Sequence, residues 1–99
     1  MQSCILKLIL DNDLYDEMTD SLLSFPDREL EFMGHSVQAH TQSLEDISEQ
    51  VSGFKQKMVI EITTNEDEAG KIVRYVKETL TEAHFEGQLF PLLSFEMQC

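Results

Sequence analysis

The chain has 99 residues, enough for one domain and one core but too few for a core that also encloses a deep private cavity. Its apolar content of 41% is ordinary for a globular protein, and 19 acidic against 7 basic residues leave a net charge of −12. Such a surface repels DNA, RNA and anionic bilayers, and no run approaches the ~20 apolar residues of a membrane span. The N-terminus lacks a basic segment followed by a long apolar run, and Cys4 and Cys99 form no CxxC pair. The expectation is a single domain over 1–99 in a reducing, cytoplasmic compartment.

Residues 4–10, Cys-Ile-Leu-Lys-Leu-Ile-Leu, read as a strand that ends at the capping and turn cluster Asp11-Asn12-Asp13. Leu14, Met18 and Leu22 recur at four-residue spacing among Asp16, Glu17 and Asp20, an amphipathic helix that stops near Phe25-Pro26. Glu29 to about His40 reads as extended, with Gly34 marking a bulge or a close approach. Residues 41–53 are polar with Leu44, Ile47 and Val51 as sparse anchors, a docked loop holding up to one helical turn. Lys55–Ile62 alternates, with Met58, Ile60 and Ile62 on one face and Lys57, Val59 and Glu61 on the other. Asn65 is placed to cap the next helix, with Glu68 three residues on. That helix carries its apolar stripe on Ala69, Ile72, Val73, Val76 and Leu80. Residues 84–97 close the pattern as a last strand around Leu89, Leu93, Phe95 and Met97, and Pro91 within it argues for a sheet edge.

The order is βαββαβ, an α+β ferredoxin-like sandwich: a four-stranded antiparallel sheet with two helices on one face. Its first strand is apolar on both sides, Leu6, Leu8 and Leu10 alternating with Ile5 and Ile9. Helices cover only one face of this fold, so Ile5, Ile9 and Val59 point to a second face buried in a homo-oligomer.

Two stretches carry a resemblance: Gly34-His35-Ser36 at a strand end, and Ser43-Leu44-Glu45-Asp46-Ile47-Ser48-Glu49-Gln50-Val51-Ser52-Gly53, with its Glu-Gln-Val-x-Gly before the third strand. Together with the surrounding pattern over nearly the full length, the chain resembles the small PII-like proteins of unassigned function, related in fold to the PII and CutA type. The resemblance implies a trimer with its sheets facing inward and ligand sites at subunit clefts near the loop after the second strand. Gly34, His35, Ser36, Glu49, Gln50 and Gly53 are then the candidate ligand-binding residues. It also implies an association with heavy-metal efflux systems, and hence a divalent transition metal as cofactor and an efflux component as protein partner. At Phe54 the chain departs from the pattern, where an arginine is expected.

Imidazole and carboxylate suit zinc-like ions, so His35, His40, Glu45 and Glu49 are the metal candidates. The histidines are five residues apart, an odd interval that puts them on opposite faces of a regular strand. A site within one subunit would need a distortion at Gly34 or in the loop, whereas a site across subunits would not. The competing reading makes them ordinary polar residues at a loop base, with Val51 a loop anchor and Gly53 a positive-φ residue where the chain re-enters the sheet.

A small-ligand- or metal-responsive regulatory protein is the leading reading, and a ligand-free trimeric adaptor is the alternative. A nucleotide ligand is disfavoured because the loop itself carries no lysine or arginine. An enzyme is not expected: the turn Asp11-Asn12-Asp13 repels phosphate, and no nucleophile–base pair is legible.

Overall fold

The computed structural model describes residues 2–40, 53–93 and 95. Strand β1 (Ser3–Asp11) passes through a 3₁₀ turn at Asn12–Leu14 into helix α1 (Tyr15–Leu23). Strands β2 (Phe32–Ala39) and β3 (Lys55–Asn65), helix α2 (Glu66–Thr79) and strand β4 (Phe85–Pro91) follow, so the order is the expected βαββαβ. The sheet runs β2-β3-β1-β4, every neighbouring pair antiparallel.

The alternation in β1 sets the two layers. Leu6, Leu8 and Leu10 are at most 3% exposed and lie with Met18 and Leu22 of α1, Ala69, Ile72 and Val76 of α2, and Ile60 and Ile62 of β3 in one core. Fully burying each of these leucine, isoleucine, valine or methionine side chains contributes about 1.5–3 kcal/mol. The odd-numbered residues of β1 face away from the helices. Across the strands they form rows: Glu86, Ile9, Val59 and His35; then Gln88, Lys7, Glu61 and Met33; then Phe90, Ile5 and Thr63. Ile5 and Ile9 are half-buried, and Val59 is buried within the single chain, flanked on its strand neighbours by Ile9 and His35.

Three local details differ from the sequence reading. No side chain of Asp11-Asn12-Asp13 caps the turn or α1, because Asp11 instead faces the lysines of β3. Gly34 marks no bulge: β2 and β3 pair without interruption from Phe32↔Ile62 to Ala39↔Lys55. The last strand stops at Pro91, with Leu92 and Leu93 outside it, where its partner β1 runs out; residues 94, 96 and 97 of the expected strand lie outside the described residues. Cys4↔Pro91 is the final pair, and one more bond, from Leu92 N–H to the Ser3 carbonyl at 3.0 Å, ends the ladder.

Asn65 caps α2 as expected, its Oδ1 accepting from the Glu68 N–H at 2.9 Å. The Glu68 carboxylate does not return to Asn65 to complete a capping box. It accepts from Arg28 Nε at 2.7 Å and Nη2 at 2.5 Å and from the Thr64 hydroxyl at 2.6 Å. Arg28 Nη2 also donates to the Thr63 carbonyl at 3.2 Å, so the connection from α1 to β2 is riveted to the β3–α2 junction.

The Arg28 hydrogen bonds hold the Glu68 carboxyl down to about 2, against burial, which pushes it up. A carboxyl lowered on folding adds stability above its ordinary value of 4.5, and this is lost as pH falls toward about 2. Arg28 is partly exposed, so the pair is worth about 1 kcal/mol at neutral pH. Arg28→Ala is expected to lower the urea midpoint at pH 7 and to lose most of that deficit by pH 2. An equal deficit at both pH values would show that the ion pair is not its source.

Candidate functional site

The stems of the 41–53 segment converge at the end of the sheet where β2 stops and β3 starts, held by the Ala39↔Lys55 pair. Just beyond it, His40 Nδ1 lies 3.1 Å from the Gly53 carbonyl oxygen, and the His40 ring packs against Phe54 at 5.8 Å between centroids, tilted by 51°. The departure at Phe54 thus puts a ring on His40 in place of the expected cation. Gly53 has φ +78°, a left-handed conformation that a side chain makes costly.

On the open face of the sheet beside these stems, two lysines share one carboxylate. Lys55 Nζ lies 3.5 Å from one Asp11 oxygen and Lys57 Nζ 3.9 Å from the other. Alternate residues of a strand share a face, and β1 delivers Asp11 opposite Lys57. Both lysine side chains are mostly covered, at 16% and 29% exposure. Among the described residues the two ammonium groups meet at Asp11, in a chain of net charge −12. Ammonium groups gathered this way suit carboxylate or phosphate oxygens, a role that Asp11 fills here.

The other candidates are dispersed. His35 lies on the open face, its Nδ1 3.8 Å from Glu61 Oε1, while His40 follows at the strand's end with opposite parity. Gly34 and Ser36 share the helix side of β2, opposite Ile60 and Met58. At Gly34 the phenol of Tyr15 comes so close that a Cβ built there would overlap its hydroxyl oxygen, so this glycine serves a close approach. Glu45, Glu49 and Gln50 lie outside the described residues. Among the described residues, no group of three or more His, Cys, Asp and Glu side chains is gathered closely enough to hold a metal ion. The sequence reading missed the Asp11–Lys55–Lys57 cluster. Its local signal is two lysines two apart at the start of a strand, but only the β1–β3 register brings Asp11 to them.

A family model described as a protein of unknown function, DUF3240, matches residues 1–95. The chain belongs to the DUF3240 family. A DUF3240 protein from Shewanella baltica OS155 superposes with a TM-score of 0.71 at 14% identity, covering 100% of this chain and 99% of that one. PII from Arabidopsis thaliana, solved bound to citrate, gives 0.66 at 13% identity over 92% of this chain and 78% of its own. CPII from Thiomonas intermedia K12, solved with ADP, AMP and acetate, gives 0.66 at 10% identity over 95% and 89%. At these identities the likeness establishes the fold, which is PII-like. No curated protein matches the sequence significantly. Among the described residues, no helix of this DUF3240 chain is long and apolar enough to cross a membrane.

The Gly34–Tyr15 contact is testable. Gly34→Ala is expected to displace the Tyr15 ring and cost about 1–3 kcal/mol in chemical denaturation. Tyr15→Ala is expected to cost less in the Gly34→Ala background than alone. Strictly additive losses would remove the close approach as the reason for glycine. Gly53→Ala is expected to cost about 1 kcal/mol through its backbone conformation.

Proposed function

We propose that this DUF3240 protein is a cytoplasmic, ligand-binding regulatory module and not an enzyme. It takes a small anionic metabolite beside the stems of the 41–53 segment and passes the binding event to a protein partner. The observation that carries the reading is the pair Lys55 and Lys57 converging on Asp11 at that position. A multiply charged carboxylate or phosphate would replace Asp11 on the two ammonium groups, and the end of the sheet where β2 stops and β3 starts would carry the change to a partner. The ligands named for structures of the same fold are all anions: citrate for the plant PII, ADP, AMP and acetate for the bacterial CPII.

The same reading has copies of the chain meeting through the open sheet face, with a trimer as the expected number. Ile5, Ile9, Met33 and Phe90 lie there, and Met33 and Phe90 are 72% and 46% exposed. Subunit contact on that face would bring a neighbour to the edge of the lysine cluster and make the site a shared cleft. A metal-linked version draws on His35 or His40 with Glu45 and Glu49, and an efflux component as partner would follow from it. The anion version is favoured because the His40 ring nitrogen already lies against the Gly53 carbonyl and His35 already faces Glu61.

Calorimetric titration of the full chain with citrate, AMP, ADP and ATP, and separately with Zn, Co, Ni and Cu, tests the reading. At least one anion is expected to bind with a dissociation constant below about 1 mM, with Lys57→Ala weakening it by tenfold or more. Replacing one partner of a charge-assisted contact costs about 1.5–3 kcal/mol, which corresponds to that factor. A ligand-free adaptor would show no heat with any of these compounds and a melting temperature indifferent to all of them.

A further inference from the structure

The chain after β4 carries two large apolar side chains that are exposed among the described residues. Beyond the Leu92–Ser3 bond β1 offers no further partner, yet the sequence keeps strand alternation, with Leu93, Phe95 and Met97 spaced by Ser94 and Glu96. Leu93 and Phe95 are 82% and 83% exposed, the two most exposed large apolar side chains among the described residues.

The same molecule carries an open groove between a helix and the edge strand. Helix α2 covers the helix side of β4 only in part, and a groove of about 450 Å³ opens between them, floored by Leu6, Val73, Phe85 and Leu89. Gly70 of α2 and Gly87 of β4 face into it without side chains; a Cβ at Gly70 would meet nothing within 4 Å. Lys77 stands at the rim and makes no ion pair among the described residues. The only charge in residues 92–99 is Glu96, of opposite sign.

We propose that the segment after Pro91 is an assembly arm, whose Leu93 and Phe95 seat in the α2–β4 groove of a second copy of the chain. The exposure of both side chains shows that the arm does not use its own groove. Four residues from Pro91 to Phe95 reach about 13 Å when extended, enough to cross to a neighbour packed against the β4 edge. Apolar knobs and an apolar cleft then meet across a contact that uses two different patches, and the sequence supplies opposite charge, Glu96 in the arm and Lys77 at the rim. Such a contact closes into a ring when repeated around a cyclic assembly. The proposal does not depend on ligand binding. It adds a second contact to the open-face interface.

Sedimentation velocity of the full chain over a concentration series reads the arm directly. The Leu93→Ser/Phe95→Ser double variant is expected to weaken assembly by about tenfold or more. Gly70→Leu, which fills the groove from an exposed helix position, is expected to do the same while melting at or above the wild-type temperature, since leucine favours helix over glycine. In a Cys99→Ser background, Gly70→Cys with Phe95→Cys is expected to give a disulfide between chains on mild oxidation. Dissociation constants within about twofold of wild type for both variants would overturn the arm, even if Ile9→Glu on the open face dissociated the assembly. A wild-type chain that stays monomeric at every concentration would overturn both contacts while leaving the anion titration to stand or fall by itself.

Discussion

The fold depends on β1 being paired on both edges while presenting leucine to one face and isoleucine to the other. Leu8, fully buried, has Ile60 beside it on β3 and Gly87 beside it on β4, and the helices close over it. Because alternation is strict, the leucines that nail the helices down commit Ile5, Lys7 and Ile9 to the opposite side. The uncovered sheet is therefore a consequence of the core and cannot be made polar by shifting the strand. A one-residue slip would bury Lys7 and expose Leu6 and Leu8 to water.

The β1–β3 register also builds the cation cluster. Asp11 sits at the very end of β1, where a free carboxylate would ordinarily serve the helix start. The antiparallel partner places Lys57 across from it and Lys55 two residues further along. The turn loses a cap, and α1 starts through a 3₁₀ turn with no side-chain help. A similar diversion occurs at α2, where Glu68 leaves the capping-box geometry for Arg28 and Thr64. At both helix starts the local motif yields to a longer-range charge, as expected where a charge-assisted bond outweighs a neutral one.

Much of this fold was legible in the sequence. The strand alternation at Met58, Ile60 and Ile62, the Asn65 cap, the stripe on Ala69, Ile72 and Val76, and the edge position implied by Pro91 all follow from period and chemistry within a few residues of each other. The end of β4 was not legible, because Leu93 and Phe95 keep a strand's alternation and only the length of the partner strand stops the pairing. Gly34 was read as one of two alternatives, and deciding between them required Tyr15, nineteen residues earlier. The candidate site was legible only at its stems. His35 lies on the open face and His40 just past the strand's end, against the Gly53 carbonyl, but the pairing of Asp11 with two lysines joins residues more than forty apart, which no local pattern records.

On the proposed anion reading, Asp11 has one further consequence, for selectivity. A carboxylate tethered to the sheet meets Lys55 and Lys57 at an effective concentration of about millimolar or more. A singly charged solute would offer no more charge than the group it evicts. A molecule presenting two anionic oxygens together, or adding contacts beyond the lysines, would gain on exchange. The internal carboxylate would then set a threshold that favours multiply charged ligands.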